Sequence, residues 1–177
     1  ILKAVLKGFG AIWPGRVSLG GVNLGDVWPY SHLGNKNSTQ CLIPFHKLSQ
    51  WLTYSIIVPL QDMGMQIKNI EKLTGLAEYR NGGLLIDSGI LKLKDSNLLH
   101  KNYHPSSDLI IEWRALTIIL LDKLAYSLRS KLKISEIDFP LPKVLEGGTW
   151  SAGRKIAREK RKVGGPPINI LSDGTVF

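Results

Sequence analysis

Leu2, Val5, Leu6 and Phe9 recur at i, i+3, i+4 and i+7, and Gly10 follows. That spacing predicts an amphipathic helix closed by the glycine. Residues 13–43 lose the period and are rich in Gly, Pro, Asn and Ser, so they read as a long ordered loop. Phe45, Leu48, Trp51, Leu52 and Ile56 give the next helical stripe. Pro44 suits its first turn, and Pro59 is expected to kink or end it. Helices are predicted through residues 70–76 and 84–93, separated by Asn81-Gly82-Gly83. The strongest element starts at Ser106-Ser107-Asp108, whose side chains suit an N-cap, and runs through Leu109 to about Leu132. Between 109 and 121 almost every position is apolar, on all sides, which predicts a buried central helix (about 107–132). Pro140 and Pro142 interrupt the chain. A short helix to Glu146 should end at Gly147-Gly148, and a basic helix follows. Residues 168–177 read as an extended C-terminal tail with a turn at Ser172-Asp173-Gly174. Strand signals are weak. The expected fold class is mainly α: a helical domain with a buried central helix, long ordered loops and an extended C-terminal tail.

A chain of 177 residues fits a single domain, 1–177. Its 44% hydrophobic and 21% charged residues exclude a disordered tail or a collagen-like repeat. One cysteine excludes a disulfide framework within the chain and fits a reducing compartment, so a cytoplasmic location is expected. No window reaches the roughly 18 uninterrupted apolar residues of a membrane span, and residues 1–15 lack the pattern of a signal peptide. No membrane partner is expected. The first residue is Ile1, which reads as a processed or truncated piece.

The net charge of +9 raises the possibility of an anionic partner. It is unevenly placed: residues 154–162 carry six basic side chains and one acidic one, and Gly164-Gly165-Pro166-Pro167 ends that helix. Such a run is either a solvated helix face or a phosphate-binding footprint. No aromatic residue lies within it and no groove-binding or zinc pattern surrounds it, so the solvated face is the reading taken and no nucleic acid is expected.

Four clusters carry candidate chemistry. Glu112 and Arg114 are two residues apart on the central helix, about 200° around its axis, so they point to opposite faces and each needs its own partner. They are either structural ion pairs or one wall of a pocket. In Glu78-Tyr79-Arg80-Asn81-Gly82-Gly83, an acid, a phenol and a guanidinium precede two glycines that either admit a ligand or make a plain turn. Arg80 is the expected partner of Glu112, and Glu78 of Arg114. Asp87 follows and could join either role. Asp26, between Gly25 and the pair Val27-Trp28, is a loop carboxylate or a turn residue. His46 and Lys47 open a helix whose first N–H groups favour an anion such as a phosphate. His32, His100, His104 and Cys41 have no metal-ligand spacing, and no P-loop, GxGxxG or GxSxG is present, so neither metal nor cofactor is expected.

Several motifs carry a resemblance. Ile12-Trp13-Pro14-Gly15-Arg16, Leu24-Gly25-Asp26-Val27-Trp28, residues 44–55 from Pro44 through His46-Lys47 to Ser55, and Leu73-Thr74-Gly75-Leu76 resemble a fungal and bacterial family linked to uracil catabolism. So do Glu78-Tyr79-Arg80-Asn81-Gly82-Gly83, Glu112-Trp113-Arg114-Ala115-Leu116-Thr117 and Asp173-Gly174-Thr175-Val176-Phe177. Family members are more than twice this length, so the chain resembles their C-terminal part, and the family's N-terminal half is expected to complete the site. A fainter similarity links the order His46-Lys47-x-x-Gln50, Leu73-Thr74, Glu78-Tyr79-Arg80 and Glu112-Trp113-Arg114-Ala115 to the queuosine-salvage nucleoside hydrolases. This chain departs from them with Glu78 for Asp and Gly82-Gly83 for Pro-Gln.

The resemblance implies a helical fold related to helix-hairpin-helix DNA glycosylases. It also implies an N-glycosidic hydrolase acting on a ribosylurea-type or pyrimidine-derived riboside or ribose phosphate. Glu78 is the expected catalytic carboxylate, with Asp26 as the alternative or second group. Arg80 and Arg114 are expected to position carboxylates, His46 and Lys47 to hold a phosphate, and Trp28 and Tyr79 to pack on the base-derived group. Glu112 and Asp87 complete the candidate substrate-binding set. A non-catalytic helical partner of the pathway's enzymes is the alternative.

Overall fold

The computed structural model describes residues 1–35, 38–172 and 174–177. Asp173, the centre of the predicted turn at 172–174, lies outside the described residues. The chain is mainly α with three small two-stranded sheets. It divides into two compact units: residues 1–73 with 173–176, and residues 74–172 with Phe177.

The first unit opens on α1 (Leu2–Phe9), with Val5 buried on its inner face. Two short strands, β1 (Ser18–Leu19) and β2 (Val22–Asn23), pair antiparallel through Gly20 and Gly21, both at positive φ. β3 (Val27–Pro29) pairs antiparallel with β4 (Leu42–Pro44), Trp28 opposite Ile43. The stretch read as loop therefore contains both of these pairs. Pro44 closes β4 instead of opening a helix.

Helix α2 (Lys47–Asp62) runs through Pro59 and ends three residues later. Its buried side chains are Ser49, Gln50, Thr53 and Ile57, while Trp51 is 56% exposed. The apolar stripe predicted its presence but not its inner face. The buried hydroxyl of Thr53 donates to the Ser49 carbonyl at 2.8 Å, which lets a polar residue sit inside.

The second unit begins in extended chain. Only Ile70–Lys72, just before it, forms a 3-10 turn, so the helix expected at 70–76 is absent. A Cβ on Gly75 would meet Leu121 at 3.0 Å, and Gly75 fits there by lacking one. Helix α3 (Tyr79–Asp87) contains Gly82 and Gly83 in its interior, so they are not the predicted break. A Cβ on Gly82 would lie 2.8 Å from both Thr117 Oγ1 and Trp113 Nε1. The glycine is there for close helix packing, and the Trp113 indole N–H donates to its carbonyl at 3.1 Å.

Helix α4 (Asp108–Leu132) is the predicted central helix. Ser107 is its N-cap, although its hydroxyl donates back to the His104 carbonyl instead of capping. The buried side chains are Ile110, Ile111, Trp113, Arg114, Thr117, Leu121 and Ala125, which make one face. Ile119 is 50% exposed, so the burial expected on all sides is one-sided. Ile110 and Trp113 pack with Ile168 and Phe177 in a core cluster. The Trp113 and Phe177 rings meet edge-on with centroids 4.7 Å apart.

Helix α5 (Leu141–Val144) passes through a π-helical stretch (Leu145–Trp150) into α6 (Ser151–Lys160). Gly147-Gly148 is thus inside a continuous helical run and does not end one. Gly153 on α6 would place a Cβ 2.3 Å from the Arg80 carbonyl, so α3 and α6 cross backbone to backbone. The tail is extended as predicted: β6 (Asn169–Ile170) pairs parallel with β5 (Asn102–Tyr103). Ile168 and Phe177 are buried, so the tail is part of the core.

Candidate functional site

Asp26 is held on four sides. The turn at Gly25 (φ 68) brings it to the start of β3. Its Oδ1 accepts the Trp28 indole N–H at 2.7 Å, and its Oδ2 accepts the Lys47 backbone N–H at 3.0 Å. Its carbonyl accepts the N–H groups of Phe45 and His46 at 2.9 and 3.2 Å. One residue thus takes up N–H groups at the start of α2. The anion at that helix N-terminus is the chain's own carboxylate, where a phosphate was expected.

Asp26 and His46 both line a cavity of about 230 Å³ in the first unit. Arg16, Asn23, Ser49 and Thr175 supply further polar lining, and Leu6, Trp13, Val27 and Leu48 apolar walls. Arg16 donates to Thr175 Oγ1 at 3.3 Å across 159 residues of sequence. His46 sits in the left-handed region (φ 47) at the N-cap of α2. Burial lowers its imidazole pKa below 6.5, with the Asp26 charge pulling weakly the other way. At neutral pH it is therefore an uncharged donor and acceptor, suited to moving a proton and poorly suited to the cationic phosphate contact expected of it. Trp28 and Lys47 stand behind Asp26 as its hydrogen-bond donors and are not part of the cavity lining. Trp28 is 2% exposed, so it is a buried support and not the base-packing ring expected.

Arg16, Asn23, Ser49 and Thr175 were not singled out from the sequence. Arg16, Ser49 and Thr175 do lie inside the motifs that carry the family resemblance, which was the available signal.

The second unit holds the other candidates. Glu78 is the N-cap of α3: its carboxylate accepts the backbone N–H of Arg80 at 3.0 Å and of Asn81 at 2.6 Å. Asn81 in turn accepts the Thr149 hydroxyl at 2.8 Å. Arg80 lies 3.7 Å from the Glu78 carboxylate and over the rings of Tyr79 and Trp150. The expected Arg80–Glu112 pair is not formed. Glu112 is exposed on the outer face of α4, where a carboxylate needs no partner. Arg114, opposite to it as the helical angle requires, is fully buried. Its Nε donates to the Ala77 carbonyl at 3.4 Å, and its guanidinium lies over the Phe177 ring at 5.5 Å. Asp87 pairs with Arg161 through both carboxylate oxygens. Among the described residues no group of three or more His, Cys, Asp or Glu is placed to hold a metal ion. No helix there is long and apolar enough to cross a membrane.

A family model described as "Protein of unknown function (DUF1688)" matches residues 1–177. The chain belongs to this family. It is 46% identical over 170 residues to "Protein urg3" of Schizosaccharomyces pombe (strain 972 / ATCC 24843), covering 94% of the chain and 41% of that relative. It is 42% identical over 200 residues to "Uracil catabolism protein 4" of Lachancea kluyveri, covering 100% of the chain and 45% of that relative. The chain spans less than half the length of these curated relatives. No solved structure matches it.

Proposed function

We propose that this chain forms part of a cytoplasmic N-glycosidic hydrolase of uracil catabolism. Its substrate is a ribosylurea-type or pyrimidine-derived riboside, with or without a 5′-phosphate. The pathway in this reading rests on the name of the Lachancea kluyveri relative, a uracil catabolism protein. The reaction class rests on the fainter similarity to queuosine-salvage nucleoside hydrolases, and with it the relation to helix-hairpin-helix glycosylases. The observation that carries the reading is that Asp26 and His46 line one cavity, the carboxylate fixed by two donors and the imidazole held neutral by burial.

Cleaving the bond from ribose C1′ to nitrogen passes through an oxocarbenium-like transition state. Asp26, oriented in advance, stabilises the positive charge that develops at C1′. Neutral His46 takes a proton from the attacking water as its oxygen bonds to C1′, and the departing nitrogen, which leaves with the bonding pair, takes up a proton in turn, so that ribose and the free urea or base are released. Arg16 contacts a phosphate or sugar oxygen, and Asn23 and Ser49 offer hydrogen bonds to hydroxyl groups. About 230 Å³ is less than the roughly 300–1,000 Å³ of drug-sized pockets, so the ligand is small. Both carboxylates cap a helix, and the reading gives the carboxylate role to Asp26 over Glu78 because Asp26 lines this cavity and Glu78 does not.

The test is release of urea from ribosylurea and its 5′-phosphate by the full-length protein. Asp26→Asn should lower the rate by about 100-fold or more while the fold is kept. No release from either substrate, or an Asp26→Asn enzyme as fast as the wild type, would overturn the proposal.

A further inference from the structure

The basic run at 154–162 contains no aromatic residue, but the fold supplies two. Tyr79 and Arg80 open α3, and Trp150 precedes α6, so the crossing of these helices interleaves rings and cations. The Arg80 guanidinium lies 4.4 Å from the Tyr79 ring centroid and 5.3 Å from that of Trp150. Arg154 lies 5.2 Å from the Trp150 centroid. The order Tyr79–Arg80–Trp150–Arg154 is thus a continuous stack within the second unit.

Its surface is open. Trp150 is 36% exposed, the Arg80 side chain 29%, and Arg154 is exposed. Trp150, Arg154 and Arg158 are spaced by four on the helical run, which aligns them in one stripe. The neighbouring flank of α6, with Gly153 and Ala157 about 100° around the helix from the stripe, is buried. Glu78 steadies Arg80, while Arg154 makes no ion pair among the described residues.

A guanidinium held over a ring keeps N–H donors for a planar oxyanion, and part of its side-chain entropy is already lost. Two such groups sharing one tryptophan make a pre-formed double anchor for carboxylates. A single-stranded nucleic acid fits less well. Two guanidinium groups already compete for the Trp150 ring, which makes it a poor platform for a base, and the cleft beside Arg80 holds only about 10 Å³. A second copy of this chain would bring another net charge of +9 against the first.

We propose that the Tyr79–Arg80–Trp150–Arg154 stack is a docking surface for a carboxylate-rich protein segment, with Arg80 and Arg154 each taking one carboxylate edge-on. The proposal does not depend on the hydrolase reading. The experiment measures fluorescence anisotropy of a labelled oligoglutamate peptide with the full chain, against a labelled oligothymidylate of equal charge. The wild type should bind the peptide, more weakly as salt rises. Arg80→Gln with Arg154→Gln should weaken binding about tenfold or more. Lys155→Gln with Lys160→Gln, which removes the same charge outside the stack, should weaken it about threefold or less. Trp150→Leu should also weaken it without changing charge. Arg154→Gln alone, at an exposed position, keeps the test open if the double variant does not fold. The proposal fails if no peptide binding occurs, if the two charge-matched pairs weaken it equally, or if oligothymidylate binds more tightly through the same residues.

Discussion

The backbone N–H of Lys47 donates to the Asp26 carboxylate at 3.0 Å, which makes a loop acid the N-terminal cap of a helix 21 residues away. The same carboxylate accepts the indole N–H of the buried Trp28. Replacing Asp26 by Ala removes a cap and strands a buried donor, for an expected loss of about 2–3 kcal/mol. Asp26→Asn keeps the shape but turns one acceptor into a donor and removes the charge near the helix start. Its cost should be smaller, about 1–2 kcal/mol. Urea denaturation of both variants at neutral pH checks the order, and equal stability of all three proteins would contradict it.

His46 makes the stability of the chain depend on pH. Its imidazole binds a proton less readily in the folded chain than at its ordinary value of 6.5, chiefly through burial. Its contribution is therefore fully present above pH 6.5 and is lost as pH falls through the interval down to the folded value. Asn tolerates the left-handed backbone at this position, so His46→Asn should fold and show a flatter profile. Denaturation midpoints of the two proteins between about pH 5 and pH 7.5 test this. A variant profile as steep as the wild type's would rule out His46 as the source.

What was readable in the sequence follows the range of the interactions. The apolar periods placed α1, α2 and α4, because a helix declares itself within a few turns. They misplaced the inner face of α2, since buried Ser49 and Thr53 look polar in a sequence while exposed Trp51 looks like core. Asp26 read as a functional loop carboxylate or a turn residue, and its capping of α2 was not legible because its partner amide is 21 residues away. Arg16 and Thr175, 159 residues apart, gave no local sign of their contact. Gly82 has two explanations in any sequence, a free backbone or a missing side chain. Only the position of Trp113 and Thr117 selects the second.

Gly82→Ala should accordingly be costly. The new Cβ would sit 2.8 Å from Trp113 Nε1 and Thr117 Oγ1, inside a packed helix crossing. The helices must move apart, which strains the Trp113–Gly82 hydrogen bond, and the expected loss is about 2–3 kcal/mol. Gly147→Ala and Gly148→Ala meet nothing within 4 Å and lie in a helical stretch. They should gain about 0.5–1 kcal/mol by narrowing the unfolded ensemble. Thermal midpoints should move in opposite directions. A neutral Gly82→Ala would mean that the crossing is loosely packed.

Asp87 and Arg161 are the second unit's clearest test of a buried charge. The Asp87 side chain is 4% exposed and that of Arg161 26%. Both guanidinium arms reach the carboxylate, one at 2.7 Å, and Nε donates to the Gly165 carbonyl at 2.7 Å. Arg161 thus ties the end of α3 to the turn that follows α6, from which the tail runs to Ile168. Arg161→Met would leave a buried carboxylate without its cation and should cost about 2–4 kcal/mol, less than for a fully buried pair because Arg161 meets solvent. Arg161→Lys keeps the charge but loses the fork and the Gly165 contact, so it should recover only part of that. In a double-mutant cycle, Asp87→Ala with Arg161→Met should cost less than the sum of the single changes by about 1–3 kcal/mol. Additive losses would show that the two side chains are neighbours without an energetic bond, and that the turn after α6 is held by other contacts.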